Sequence, residues 1–322
     1  MKLHQIRDLL AVADKGSLRA AARHLGLAQP SISRSIRELE RELGVPLLER
    51  RARGTVLTPT GQRFAGRASA AAAELRRARE EIAQLHGEAE GSVVAGLSSV
   101  PLLALLPGAI GAFKQRYPRV ELRILEGAFP AIEARLKSGT IDFYAGVAPG
   151  APPAPELLFE KLFDNTRVVL ARHGHPLAGA RSLAELTGAH FVSTSITDDA
   201  RAEIADLFRQ HDLAEPPLGA RIEGGALSLI TLLAHSDMLA IVPIQWTGFS
   251  FTREKLRMLE LKETIAAPSI VLVRRAAMPL TPAADYLCDL LRRASAPFAA
   301  AAATGAAARV RSRRGSSPSP RR

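Results

Sequence analysis

The chain has 322 residues, 47% of them hydrophobic, a formal charge of +11 and one cysteine, Cys288. That length accommodates two or three domains with real cores, and the lone cysteine excludes a disulfide scaffold and fits a reducing compartment. Residues 1–67 carry 13 Lys/Arg against 6 Asp/Glu, residues 91–308 carry 21 of each, and residues 309–322 carry six Arg and no acid. The positive excess therefore sits in the first segment and the extreme tail, around a large neutral middle. No apolar run follows the basic N-terminal residues, and none approaches about 18 residues without a charge or proline, so neither an export signal nor a membrane span is expected. The expected location is the cytoplasm.

Residues 3–14 read as an opening helix with Leu3, Ile6, Leu9, Leu10 and Ala13 on one face. Two short helices come next. Leu18, Ala21, Ala22 and Leu25 recur at helical spacing behind Ser17, a residue type suited to capping, and Gly26 can take the positive φ that ends a helix. Gln29 and Pro30 open the second helix, where proline's missing N–H costs nothing. Ile32, Ile36, Leu39 and Leu43 mark its buried side. Its other side offers Gln29, Ser31, Ser33, Arg34 and Arg37, with no acid before Glu38. Such a face is either an ordinary solvated surface or one built for a duplex groove, where Arg pairs with guanine, Gln with adenine and Ser with phosphate or base.

Leu47–Arg50 and Thr55–Leu57 read as short strands about a turn at Ala52-Arg53-Gly54, a wing whose tip gathers Arg50, Arg51 and Arg53. A basic tip beside such a helix positions a protein on phosphate without reading sequence. Thr58-Pro59-Thr60-Gly61 starts the next helix. There Phe64, Ala68, Ala71, Leu75, Ala78, Ile82 and Leu85 are spaced alternately by four and three, the heptad seam of a helix that pairs with another.

The string Ala20-Ala21-Ala22-x-x-Leu25, Gln29-Pro30-Ser31-Ile32-Ser33-x-x-Ile36-x-x-Leu39-Glu40-x-x-Leu43-Gly44, Pro46-Leu47-Leu48-x-Arg50 and Leu57-Thr58-Pro59-Thr60-Gly61 resembles the N-terminal domain of LysR-type transcriptional regulators. The resemblance implies a winged helix-turn-helix domain at residues 1–60, with the helix-turn-helix at 18–37, that binds double-stranded DNA. The DNA-facing candidates are Ser17, Gln29, Pro30, Ser31, Ser33, Arg34, Arg37, Arg50, Arg53 and Thr58. It further implies a linker helix at 61–90 that pairs two subunits over an inverted-repeat operator, as homodimer or homotetramer, and contact with RNA polymerase.

After Gly91 short apolar strands alternate with helices, the pattern of a parallel sheet. Strands are expected at Ser92–Leu97, Val120–Leu125 and Ile141–Val147, with helices at Leu102–Arg116 and Ala131–Lys137. Arg167–Ala171 is a further strand. A second set comes after it: strands His190–Thr194, Ala220–Glu223 and Leu239–Pro243, and helices Asp199–Gln210 and Ala226–Ala234. Ser269–Arg274 returns as a strand and Pro282–Arg293 as the last helix. This order implies two α/β lobes, residues 91–163 with 268–298 and residues 164–267, crossed near Phe163–Thr166 and Ala266–Ser269. The family resemblance, looser here, implies an effector-binding domain like periplasmic solute-binding proteins. Residues 299–322 lack the apolar content for a core and are expected to be disordered.

A cleft between two such lobes collects strand ends and helix N-termini, a good place for a small ligand. Ser98, Ser99 and Val100 match positions where family members hold an effector, and hydroxyls at a helix start favour an anion. Thr194 and Ser195 end a strand of the second lobe. Gly127 and Phe129 follow another strand, and Phe129 is either a stacking platform or a core ring. Gly146, Val147, Gly225, Ala226 and Ile244 match wall positions more weakly. The stretch Arg76–Val94 and the double serine are similar to members that respond to aromatic sulfonates or carboxylates. His173-Gly174-His175 precedes Pro176 and reads as a surface turn rather than a metal site. There is no G-x-S-x-G, no P-loop and no G-x-G-x-x-G after a strand, so neither catalysis, cofactor nor metal is expected, and a solute-binding protein or an α/β enzyme is disfavoured.

Overall fold

A computed structural model describes residues 1–51, 54–86, 90–150, 154–194, 200–222 and 225–314, without the side chains of residues 50, 130, 194, 200, 201 and 302–314. The head consists of α1 (Leu3–Lys15), α2 (Leu18–Leu25), α3 (Gln29–Leu43), and the antiparallel strands β1 (Leu48–Arg51) and β2 (Gly54–Leu57). Leu9, Val12, Ala21, Ala22, Ile32, Ile36, Leu39 and Leu47 form its core. The opening helix turns its buried face slightly from the expected one: Val12 is buried, whereas Ala13 and Leu3 are exposed. Ser17 caps α2 by accepting from Ala20 N at 3.1 Å, and Gly26 ends it at φ +64°, where a side chain would be strained.

The wing is tied down by a residue that spacing did not single out. The Glu40 carboxylate accepts from the backbone N–H groups of Leu47 and Leu48 at 2.7 and 3.1 Å. Hydrogen bonds to a charged acceptor contribute more than neutral ones, so Glu40→Ala should destabilise the head by about 1–3 kcal/mol and expose those two amides to hydrogen exchange. Unchanged protection at Leu47 and Leu48 would contradict that role.

The long helix α4 (Pro59–Leu85) leaves the wing and runs to the C-terminal domain. There the first lobe holds the parallel strands β3 (Ser92–Leu97), β4 (Glu121–Glu126) and β5 (Phe143–Val147), with α5 (Leu106–Arg116) and α6 (Phe129–Lys137). A short π-helical turn at Pro101–Leu105 precedes α5, so the expected single helix from Leu102 is two pieces. The second lobe holds β7 (Phe191–Thr194), α7 (Ala200–Arg209), β8 (Leu218–Ile222), α8 (Ala226–Ala234) and β9 (Ala240–Pro243).

Two strands belong to both lobes. β6 (Leu157–Arg172) and β11 (Ile265–Arg275) pair antiparallel over nearly their whole lengths. β5 joins β11 antiparallel, while β9 and β10 (Leu256–Met258) join β6. The sheet is therefore mixed, where alternation alone suggested a parallel one. The expected short strands at Arg167–Ala171 and Ser269–Arg274 are the ends of these longer strands. The register of β11 against β6 shifts between Ala267 and Ile270, around Pro268, which lacks a ladder donor. Phe113, Tyr117, Leu287 and Leu291 pack one face of the first-lobe sheet, and Ile132, Leu136 and Tyr144 the other.

The last helix, α9, spans Pro282–Arg314 rather than ending near Arg293. The expectation of disorder from residue 299 underweighted its run of alanines, the best helix formers; residues 315–322 lie outside the described residues. Cys288 is buried in the first-lobe core, where burial pushes its thiol pKa up. Among the described residues no helix is long and apolar enough to cross a membrane.

Candidate nucleic-acid interface and ligand cleft

The outer side of α3 is open. Gln29, Pro30, Ser31, Arg34 and Arg37 are exposed and Ser33 is half-buried, while Ile32, Ile36 and Leu39 on the inner side are buried. Arg37 donates from Nε to the Ser33 carbonyl one turn back at 3.1 Å, which steadies its guanidinium along the helix. Arg34 has neither a hydrogen bond nor an ion pair to protein among the described residues. The candidates Ser17 and Thr58 differ in kind. Ser17 is the α2 cap, and the Thr58 hydroxyl donates to Pro46 O at 2.8 Å and accepts from Gly61 N at 2.9 Å. Both hydroxyls are spent on holding the head together. Gly61 is needed in that corner, since an added Cβ would stand 2.0 Å from the Leu47 carbonyl. Arg51 is exposed and paired with Glu49 at 2.6 Å; the Arg50 side chain and all of Arg53 lie outside the described residues.

Along α4 the heptad positions change character. Phe64 and Ala68 are half-buried and buried against the head, whereas Ala71, Leu75, Ala78, Ile82 and Leu85 are more open, with Leu75, Ile82 and Leu85 exposed at 48, 59 and 72%. Three large apolar side chains in line on one solvent-facing stripe are unusual for an isolated surface helix.

Between the lobes lies a cleft of about 570 Å³, within the size range of small-molecule sites. Of the residues expected there, Ser98, Ser99, Gly127, Val147 and Ala226 line it. These are the residues that follow strands or open a helix, where backbone direction places them. Three others are corrected. Val100 is fully buried in the first-lobe core beside Leu97 and Leu105. Phe129 is 5% exposed and packs its ring against Tyr144 at 5.5 Å and Phe159 at 5.4 Å, so it is the core ring and not a platform. Ile244 starts the 3₁₀ turn after β9 and is not in the lining.

Gly146 acts beneath the floor rather than on it. A Cβ there would stand 2.1 Å from Tyr144 Oη and 2.8 Å from Ser98 Oγ. Tyr144 Oη donates to the Val147 carbonyl at 3.3 Å, and burial raises its pKa, so it stays a neutral donor. The Thr194 side chain and Ser195 lie outside the described residues.

Spacing missed most of the charged and hinge residues of the cleft. Arg167 faces Glu203 at 2.9 Å, Asn165 and Thr264–Pro268 form its back where β6 and β11 run between lobes, and Ser193 and Trp246 complete the second-lobe wall. Only their convergence in space marks them. His175 is buried, accepting from Leu177 N at Nδ1 (2.9 Å), which leaves Nε2 to donate to Asp237 O at 3.1 Å. It holds a turn together, and among the described residues no cluster of three metal-ligating side chains occurs.

A trihelical head with an open basic helix, joined by a long helix to two lobes around a cleft, defines a ligand-binding DNA-binding protein. The pattern of a bacterial regulatory helix-turn-helix protein of the lysR family matches residues 3–62, and that of a LysR substrate binding domain matches residues 86–296. The chain is 28% identical to the SDS degradation transcriptional activation protein of a Pseudomonas species, over 90% of this chain and 95% of that one. It is 30% identical to the HTH-type transcriptional regulator GalR of Pseudomonas putida, over 90% and 73%. The structure is similar to CbnR, a LysR family transcriptional regulator (TM-score 0.68, 21% identity, 92% of this chain and 99% of that one), and to CbnR complexed with its target DNA (TM-score 0.65, 22%, 91% and 100%). The chain belongs to the LysR family: it is a DNA-binding transcription regulator with a C-terminal substrate-binding domain, and its relatives are regulators, not enzymes.

Proposed function

We propose that two copies of this chain stand side by side through α4 and lay their α3 helices into successive major grooves of an inverted-repeat operator. The observation that carries this reading is the presence of two open features on one chain: the acid-free outer side of α3 and the apolar seam Ala71, Leu75, Ala78, Ile82 and Leu85. Arg34 and Gln29 reach base edges, Arg37 and Ser31 reach base or phosphate, and Arg50, Arg51 and Arg53 of the wing meet phosphate. Ser17, Pro30, Ser33 and Thr58 set the height and angle of the helix.

Residues 91–298 hold a small effector between the lobes, 91–163 with 268–298 on one side and 164–267 on the other. Ser98 and Ser99, at the start of the first lobe's leading helix, offer hydrogen bonds to a polar group of that effector, and an anionic group on the effector fits the family resemblance of the region. Its binding changes how the lobes sit about β6 and β11. That re-aims the paired heads and alters contact with RNA polymerase, in the cytoplasm where the chromosome lies.

The test uses an inverted repeat obtained by repeated selection from random DNA, and the same DNA with one half-site scrambled. The wild-type chain should sediment as a dimer or tetramer and bind the full repeat far more tightly than the scrambled one. Leu75→Asp combined with Ile82→Asp should yield monomers that bind both DNAs alike. A variant that stays dimeric, or keeps its preference for the full repeat, defeats the pairing.

A further inference from the structure

Among the described residues three carboxylates line the cleft, and they are not alike. Glu203 is paired with Arg167 at 2.9 Å and Asp206 with Arg209 at 2.5 Å. Glu126 has no ion-pair partner among the described residues. It ends β4, one residue before Gly127, whose N–H donates to Leu97 O at 3.0 Å, so it stands beside the strand end that carries Ser98. Its carboxylate reaches toward the second lobe: a Cβ on Gly225, the residue before α8, would lie 3.7 Å from Glu126 Oε2. A first-lobe anion thus faces a helix start that itself favours an anion.

On the second-lobe wall two polar groups lack partners among the described residues. Ser193 is 5% exposed and Trp246 4%, both border the cleft, and neither Ser193 Oγ nor Trp246 Nε1 makes a hydrogen bond with the described residues. An indole N–H can only donate, so it requires an acceptor. Buried donors left unpaired are costly, and in native proteins they are commonly matched by a ligand or water.

Resting on the reading of the cleft as the effector site, we infer that its effector is a small zwitterion, an amino acid or related aminocarboxylate. The ligand's carboxylate takes the place at the start of α8 near Ser193 and Trp246, and its ammonium pairs with Glu126. A simple carboxylate would meet Glu126 as a like charge, and a simple amine would leave the second-lobe donors empty. The ligand therefore links the lobes through both of its charges.

The full-length chain is titrated by calorimetry and thermal shift with the common L-amino acids at up to millimolar concentration. For each one that binds, its deaminated carboxylate and its decarboxylated amine are titrated in turn. The expected result is at least one amino acid that binds 10-fold or more tighter than either counterpart. Glu126→Gln, an exposed substitution that should leave the melting temperature unchanged, should erase that preference over the carboxylate. Ala226→Trp, which fills the cleft, should abolish binding altogether. If carboxylates bind as tightly as their amino acids, or Glu126→Gln leaves the preference intact, or no amino acid binds, the zwitterion assignment is overturned. If an amino acid binds unchanged to Ala226→Trp, the cleft itself is the wrong site.

Discussion

Replacing Asp142 by Ala should cost the folded chain about 3–5 kcal/mol and free the long helix from the first lobe. Asp142 and Arg77 are each 2% exposed. Arg77 projects from α4 and donates from Nε to Asp142 Oδ1 at 2.8 Å, while Asp142 Oδ2 accepts the Val94 backbone N–H at 2.8 Å. Arg77 also meets Glu74 at 2.8 Å and the Gly139 carbonyl. Beside them lies Arg275, 6% exposed, whose Nε and Nη1 have no hydrogen-bond partner among the described residues. Burial first, and then the charge of Arg77, lower the Arg275 pKa. Asp142 is therefore the buried anion between two cations and a strand amide.

Removing one member of a buried pair leaves the other charge uncompensated, which costs more than the pair contributes. The double change Arg77→Met with Asp142→Leu should recover part of the loss, because it removes one of the two stranded cations while Arg275 stays without its anion. Calorimetric unfolding of the wild type and the two variants checks this. A loss near 1 kcal/mol for Asp142→Ala, or a double variant as unstable as the single one, would remove Asp142 from this role. The joint also bears on regulation. α4 carries the head at one end and is held to the first lobe by Arg77 near the other, so a variant with a loosened joint should still bind operator but respond less to the cleft's ligand.

The second large effect concerns DNA discrimination. Arg34→Ala should reduce the preference for the selected operator over random DNA by about 10–100-fold, which is the roughly 1–3 kcal/mol expected of one base-reading arginine. Arg34 is exposed, without a protein partner among the described residues, and flanked by Ser31 and Arg37 on the same side of α3. Its loss costs the fold little. Arg51→Ala on the wing should instead weaken binding to both DNAs alike and flatten the dependence of log affinity on log salt by about one unit, the outcome expected of a side chain that meets only phosphate. Gel-shift titrations over a salt series measure both quantities. Equal weakening on operator and random DNA for Arg34→Ala would reassign it to the backbone.

The head was readable because its signals are local. Ser17, Gly26, Pro30 and Gly44 punctuate helices by their own backbone chemistry, and apolar spacing orients each helix independently of distant segments. The same holds for α8, whose expected bounds Ala226–Ala234 are those observed, since its apolar run begins right after two glycines. In the cleft, Ser98, Ser99, Gly127, Val147 and Ala226 were foreseeable for a related reason: the ends of strands and starts of helices in such lobes converge by topology.

Pairing over long distances was beyond the reach of pattern. β6 and β11 looked like short strands because each changes its burial partners halfway, passing from one lobe's core to the other's, and a period-2 pattern read on one side breaks at the crossing. Arg77 and Asp142 are 65 positions apart, and neither stands out from the many charged residues around it. Phe129 was undecided between pocket and core because a ring after a strand suits both; the neighbours Tyr144 and Phe159 settled it.

Residue order alone thus carried the modular plan, the helices of the head and the spacing of the apolar stripe on α4, for those depend on interactions within a few turns of chain. The packed chain alone established the mixed sheet shared by the lobes, the charge balance of the cleft and the buried joint to the long helix. Each of these is a contact between distant segments, and its energy comes from which groups lose water together, a quantity no single stretch of sequence carries.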